Sequence, residues 1–513
     1  MAVDVEAPSS PLWAKIIDQS RCIGCHACTT ACKSENEVPL SVTRTYVKAV
    51  DVGTFPQARR AFQVTRCNQC EAAPCVTACP TSAMYRRPDG IVDFDKSVCI
   101  GCKACMAACP YDAIFINPAD HSAEKCNFCA HRLDVGLEPA CVVVCPVEAL
   151  FVGDLNDPNS KVAQTVARDP VAVRRPEKGT RPKVFYKGAH QATLDPLAAR
   201  RPAGGLYAWN EQPRGPSEIG SGHTGQWNSS ASALLSYDVS HKAPWDVRVS
   251  LYTWTKGIAA GVYLVALLLI ALGGAQWNGP LWEFVTPVLA GAFLAATGGL
   301  LLWDLEHPER FYLIFARPQW RSWLVRGAFV ISGYGAVLLV HFVASLLGAP
   351  SVGAWLAIAG VPLAAMTAIY TGYLFAQAKA RDLWQSPLLP PHLFVQSLMV
   401  GAAALLPFTY FEPRALPVLL IVFGVSTAAH VLFTLGEVTL AHATAHAALA
   451  VRVMTKGKYA RLFWGGLVLS ALAALSAAFS APVVWGTGAV LALLGLLAYE
   501  HAYVQSAQSV PLA

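Results

Sequence analysis

CIGCHACTTAC, residues 22–32, sets Cys22, Cys25, Cys28 and Cys32 apart by two, two and three residues. The same spacing returns in CIGCKACMAACP, residues 99–110, with Cys99, Cys102, Cys105 and Cys109. Two variants lengthen one gap. CNQCEAAPCVTACP, residues 67–80, carries Cys67, Cys70, Cys75 and Cys79, and CNFCAHRLDVGLEPACVVVCP, residues 126–146, carries Cys126, Cys129, Cys141 and Cys145. These four groups use all sixteen cysteines of the chain, and CPTSAM, CPYDAI and CPVEAL echo one another after three of them. One short unit is therefore repeated four times.

Two-residue gaps let a tight loop wrap three thiolates around one iron–sulfur cubane, while the fourth cysteine, a helical turn on, reaches a different cluster. That is the spacing of bacterial ferredoxins. A disulfide scaffold fits poorly, because neighbouring cysteines sit two residues apart and no secretory signal precedes them. Zinc knuckles use isolated pairs rather than third and fourth cysteines at this spacing. Crossing the ligands gives a partition into four 4Fe–4S sites. Cys67, Cys70, Cys75 and Cys109 hold one, and Cys79, Cys99, Cys102 and Cys105 the next. Cys22, Cys25, Cys28 and Cys145 hold a third, and Cys32, Cys126, Cys129 and Cys141 the fourth. With sixteen thiols sufficient, His26, His121 and His131 are read as surface or supporting residues.

The 513 residues are 54% hydrophobic and only 14% charged, too apolar for an ordinary soluble protein. Every cysteine precedes residue 146, whereas every long apolar run follows Lys256. The net charge of +6 includes no basic tract interleaved with aromatics, which argues against nucleic acid. The first twenty residues lack a basic region, an apolar core and a twin arginine. The expected organisation is an α+β double-ferredoxin-like domain over 1–160, an extended linker rich in Pro, Arg, Gly and Ser over 161–247, and an all-α membrane bundle over 248–513.

A helix needs about 20 apolar residues to cross a membrane core of ~30 Å. Gly257–Gly274, Phe284–Trp303, Gly327–Pro350, Ser351–Ala378, Ser386–Phe411 and Ala415–Gly436 qualify. Leu462–Tyr499 would be ~57 Å long as one helix, so it divides in two, with SAPVVWGTG as the turn. Eight spans put both ends on one side. Lys242, Arg248, Lys256, Arg310, Arg317, Arg321, Arg326, Lys379, Arg381, Arg452, Lys456, Lys458 and Arg461 fall on that side, against Arg414 on the other. By the positive-inside rule the cysteine-rich domain faces the cytoplasm, in the inner membrane of a prokaryote.

Residues 14 to 190, with GDLNDPNSKV and RPEKGTRPKVFY beyond the last cysteines, resemble the four-cluster subunits that accompany molybdenum enzymes of the DMSO reductase family. LLLWDLEHPERFYLIF near residues 300–315, SWLVRGAFVISGYG from Ser322 and YTGYLFAQAKARDLWQSPLLP from Tyr370 resemble the polysulfide reductase NrfD-like membrane subunits. That resemblance implies an eight-helix bundle that binds quinone and carries no haem. The inferred orientation departs from the family's better-known members, whose ferredoxin partner lies outside the cytoplasm.

Together these readings give a fused electron-transfer and membrane-anchor subunit of a multisubunit oxidoreductase. It would link a separate molybdopterin catalytic subunit, with Mo or W, to menaquinone or ubiquinone. The chain itself has no dinucleotide loop and no hydrolytic triad, so no catalytic residue is assigned to it. Ionisable groups in spans cost about 2.5–3.5 kcal/mol at the centre and need a reason. Lys256 opens the first span, Asp304 closes the second, Arg326 opens the third, and Glu437 and Glu500 close the sixth and eighth. With His307 and Arg310 beside Asp304, the candidate quinone and proton residues are Lys256, Asp304, His307, Arg310, Arg326 and Glu437. A helix-end ion network is the plain alternative. His341 and His430 lie deeper, as hydrogen-bonded bundle residues, proton-path members or haem ligands. Rival functions are a ferredoxin-fed redox pump, a haem-containing anchor and an iron–sulfur sensor.

Overall fold

The computed structural model describes residues 10–201, 233–239 and 242–512. Two compact units emerge, one from the described residues up to Pro244 together with Ala378–Ala380 and the segment from Val510, the other from Trp245–Gln377 and Arg381–Ser509.

The first unit is built on two sheets and two hairpins. Its strands are β1 Trp13–Asp18, β2 Thr45–Val52, β3 Arg59–Arg66, β4 Met84–Arg86, β5 Val92–Phe94, β6 Ile114–Ile116, β7 Ala123–Lys125, β8 Leu150–Asp154, β9 Val171–Ala172, β10 Val184–Lys187 and β11 Ala233–Tyr237. The sheets run β8-β1-β10-β9 and β11-β2-β3, and the hairpins are β4-β5 and β6-β7. Short helices α1 Ala27–Glu35, α2 Pro74–Ala78, α3 Ala104–Ala108, α4 Ala130–Leu133 and α5 Ala140–Val143 carry or flank the cysteines. Helices α6 Lys161–Arg168 and α7 Gln191–Leu194 follow. Ile17, Val47, Val64, Ile91, Phe128, Leu150, Val184 and Tyr186 pack into one apolar core with Cys28 and Cys141.

Repetition in sequence becomes repetition in backbone. In each group the residue just before the second cysteine is left-handed: Gly24, Gln69, Gly101 and Phe128 have φ of 70°, 47°, 68° and 64°. That turn curls successive N–H groups into a concave anion-binding nest. At Gly24 a Cβ would also collide with the Phe62 ring, so glycine is required twice over. Proline after Cys79 and Cys109 cannot continue a helix, and both cysteines have extended backbones that end α2 and α3.

Among the described residues of 161–247, several join the sheets of the first unit rather than forming an extended linker. Strand β10 lies parallel to β1, pairing Phe185 with Ile16, and β11 pairs antiparallel with β2. The unit thus runs past residue 160 to include strands of four and five residues. Such strands show no hydrophobic period, because pairing to a distant partner defines them. Residues 202–232, the core of the expected linker, and residues 1–9 lie outside the described residues.

The second unit is helical: α8 Val247–Ala271, α9 Thr286–Asp304, α10 Leu313–Ala316, α11 Trp323–Leu346, α12 Pro350–Gln377, α13 Leu389–Leu405, α14 Ala415–Thr439, α15 Ala445–Thr455, α16 Ala460–Ser476 and α17 Pro482–Gln508. Among the described residues seven helices are long and apolar enough to cross a membrane, and α15 with α16, bent by 73°, supply up to an eighth. The chain is a multi-pass membrane protein.

Three expectations shift. The first span begins at Val247, where Asp246 caps the helix by accepting from Arg248 N–H. Lys256 therefore stands inside the helix, ~14 Å from its start. Likewise Glu500 lies within α17, which runs on to Gln508. The last turn falls between Ser476 and Pro482, so most of SAPVVWGTG is already helical. At Lys256 and Glu500 polar residues extend the helix beyond the apolar run, because helices do not stop where lipid does.

Helices α8 and α13 cross at backbone contact. A Cβ on Gly261 would collide with the Ser397 carbonyl oxygen, and one on Gly401 with the Gly261 backbone. Small residues at such crossings let membrane helices approach for van der Waals packing, where no hydrophobic effect drives association.

Candidate functional site

Three pockets in the first unit are each lined by four cysteines. One holds Cys79, Cys99, Cys102 and Cys105, another Cys22, Cys25, Cys28 and Cys145, and the third Cys67, Cys70, Cys75 and Cys109. The remaining four also meet. Cys32 feels the charges of Cys126, Cys129 and Cys141, and Asn36 Nδ2 lies 3.7 Å from both the Cys32 and Cys129 sulfurs. Each of the four quartets thus draws thiols from two different sequence groups.

All sixteen cysteines are free thiols, not disulfides. Among the described residues no three or more His, Cys, Asp or Glu side chains draw together as a single ion would need. Four thiols spread around a cavity suit a cluster better than zinc. Burial, with neighbouring thiols adding to it, pushes Cys32, Cys70 and Cys109 up to about 12. Cys141 is the exception. It too is buried, but Arg66 and Lys15 bring it down to about 6.

Buried cations supply the test of fit. Lys15, Arg66 and Lys125 are 0%, 1% and 0% exposed. Arg66 Nη1 donates to Cys141 Sγ at 3.2 Å and Lys15 Nζ to the same sulfur at 3.4 Å. Burying cations costs several kcal/mol per ion unless anions face them, and cluster-bound thiolates are such anions. Backbone N–H groups of Met84, Ala123 and Ala149 point at Cys79, Cys99 and Cys145. The residues fit iron–sulfur clusters.

The histidines near the cysteines have other tasks. His131 pairs with Glu35 at 2.8 Å, and His26 packs edge-on against Tyr237.

In the helical unit the candidate residues divide. Lys256, 1% exposed, donates from Nζ to the Thr371 hydroxyl at 2.7 Å and the Ala368 carbonyl at 3.0 Å, above the Tyr370 ring. It interacts electrostatically with Glu500, whose carboxylate accepts from Thr253 Oγ1 at 3.0 Å. Glu437 accepts from the Tyr499 hydroxyl at 3.1 Å. The others gather at the ends of α9 and α11. Buried Asp304 lies 3.8 Å from Arg248, His307 and Arg310 both reach Glu309, and exposed Arg326 donates to the Trp320 carbonyl.

His430 hydrogen-bonds His392 at 2.9 Å, and Gln396 reaches His392 at 3.2 Å. The Tyr499 ring lies 5.1 Å from His430 and 5.5 Å from His392. His341 sits among Trp282 and Tyr263 instead. His341 and His430 thus occupy different surroundings, and the partner of His430 is His392. It was findable as an ionisable residue inside Ser386–Phe411. Lys15, Arg66 and Asn36 carry no motif of their own, although Arg66 directly precedes Cys67.

A cysteine-rich, cluster-binding domain followed by a bundle of membrane helices defines an iron–sulfur electron carrier fused to a membrane anchor. The model "Polysulphide reductase, NrfD" matches residues 236–506, more than half of the chain, "4Fe-4S dicluster domain" matches 58–155, and "4Fe-4S binding domain" matches 13–34. The chain belongs to the NrfD family, joined to a 4Fe–4S dicluster domain. Its first part is 44% identical over 196 residues to a tetrathionate reductase subunit of Salmonella typhimurium, covering 37% of this chain and 77% of that protein. It is 45% identical over 176 residues to one of the polysulfide reductase chains of Wolinella succinogenes, covering 34% and 92%. To a putative dimethyl sulfoxide reductase iron–sulfur subunit of Halobacterium salinarum it is 36% identical over 219 residues, covering 37% and 84%.

Proposed function

We propose that this chain is the electron-transfer and membrane-anchor subunit of a multisubunit molybdopterin oxidoreductase. It passes electrons between a separate catalytic subunit and membrane quinone, menaquinone or ubiquinone, through four 4Fe–4S clusters. The observation that carries this reading is the convergence of sixteen thiols into four groups of four in the domain that leads into the bundle. The similarity to subunits of tetrathionate, polysulfide and dimethyl sulfoxide reductases supports the reductase setting.

Cys67, Cys70, Cys75 and Cys109 would hold one cluster and Cys79, Cys99, Cys102 and Cys105 a second. Cys22, Cys25, Cys28 and Cys145 would hold a third, and Cys32, Cys126, Cys129 and Cys141 the fourth. The clusters supply one-electron steps, and the protein sets spacing, burial and hydrogen bonds.

Quinone reduction takes two electrons and two protons. Within the bundle, Lys256, Glu500 and Glu437 are the protonatable groups set among hydroxyls, and ionisable residues at such depth point to function by default. Asp304, His307, Arg310 and Arg326 line the helix ends, where they hold the approach to those groups and their charge. The domain faces the cytoplasm, in the inner membrane, by the distribution of Lys and Arg around the spans.

The test is metal and cofactor analysis of the complex purified gently through this chain. About sixteen irons per chain with molybdenum or tungsten, a companion subunit and bound quinone is the expected result. Full iron without a second metal or companion would favour electron supply by a soluble ferredoxin.

A further inference from the structure

Arg66 ends β3, and Lys15 lies in the middle of β1, in a different sheet. Both side chains turn inward onto one sulfur, Cys141 Sγ, at 3.2 and 3.4 Å. Arg66 is further fixed by donating from Nη2 to the Thr45 hydroxyl at 3.0 Å, and Lys15 lies 4.7 Å above the Phe128 ring. Neither cation is placed to bind a solvent ligand, since they are 1% and 0% exposed. Asn36 adds an amide near two more sulfurs of the same group.

A purely structural role would be met by a neutral donor at far lower desolvation cost. Two full charges on one ligand sulfur have an electrostatic consequence. Reducing a cluster adds one negative charge, and fixed positive charge in a low-dielectric interior favours the state that carries it. Hydrogen bonds to ligand sulfurs act in the same direction.

We infer that Arg66 and Lys15 raise the reduction potential of the cluster held by Cys32, Cys126, Cys129 and Cys141, making it a site where the electron rests in transit. This inference rests on the four-cluster reading above. The electron arrives from a neighbouring cluster in turnover and from dithionite in a titration, and no bond is made or broken.

The experiment is an EPR-monitored redox titration of the purified full chain, with iron measured on every sample. Lys15→Met and Arg66→Met should both move the midpoint of that cluster to more negative potential. A ten-fold change in that one-electron equilibrium reads as ~59 mV. Arg66→Lys, which keeps the charge, should recover part of the shift. If Arg66→Met does not assemble, Lys15→Met alone decides. Fully loaded variants with unmoved midpoints would overturn the inference and leave the four-cluster reading intact. Loss of that one cluster from both Met variants would also overturn it, by assigning the cations to assembly. A wild-type chain short of about sixteen irons would instead sink the four-cluster reading itself.

Discussion

Trp245 and Gln508 hold each other through two hydrogen bonds: Trp245 N–H donates to Gln508 Oε1 at 3.0 Å, and Gln508 Nε2 donates to the Trp245 carbonyl at 2.9 Å. Trp245 lies just before α8 and Gln508 ends α17, so the first helix begins where the last one finishes. Arg381, between α12 and α13, also donates to the Gln508 carbonyl, and Trp245 stacks on Trp384 nearby. The start of α8, the α12–α13 connection and the end of α17 therefore lie together at one end of the bundle. Topology reporters fused before residue 10 and after residue 513 should report the same side of the membrane, the cytoplasmic one. Opposite sides would mean that α15 and α16 do not complete a crossing.

Crossed ligation makes a genetic prediction. Cys70→Ala and Cys109→Ala, far apart in sequence, should abolish the same EPR signal, whereas Cys79→Ala should abolish a different one. Each variant should lose about four irons or convert one cluster to a three-iron form. If Cys79→Ala and Cys70→Ala removed the same signal, ligation would follow sequence groups and the cavity grouping would be misleading.

Lys256→Met removes a buried amine and two hydrogen bonds while keeping side-chain length. We expect quinone-linked turnover to fall ten-fold or more, with reduction of the clusters by dithionite unchanged. Glu437→Gln, which retains the shape and the Tyr499 contact but has no proton to give, should slow turnover most at low pH, where the wild-type carboxyl is protonated, and least at high pH. Unchanged turnover in both variants would return these residues to a structural role.

The α8–α13 crossing tolerates no side chain. Gly261→Ala would force Cβ against the Ser397 backbone, so the chain should lose about 1–3 kcal/mol of stability, as overpacking does, and its melting temperature should fall. Gly465→Ala, with open space around its Cβ, should be neutral or slightly stabilising, because alanine is the better helix former. Equal melting temperatures for the two variants would argue against that backbone contact.

The repeated cysteine units, the apolar runs and the division between them were legible because each is a local pattern. Spacing along the backbone dictates which thiols can share a loop, and a run of apolar residues is enough to specify a membrane helix. Less was legible wherever partners are distant in sequence. Val184–Lys187 looked like linker because four residues carry no period, yet pairing with β1 makes them a central strand. Lys256 and Glu500 looked like helix ends because hydropathy marks the lipid boundary rather than the last hydrogen-bonded turn.

By itself the sequence determined that this protein carries four cysteine quartets ahead of a multi-span membrane bundle. Cluster chemistry and bilayer thickness leave little freedom once those spacings and lengths are set. Only the tertiary structure decided which sulfur receives Arg66 and Lys15, that His430 meets His392 rather than His341, and that Lys256 lies within the helix packing. Those outcomes depend on which side chains from separate elements fill the same space, and burial then obliges each charge or imidazole found there to have a partner.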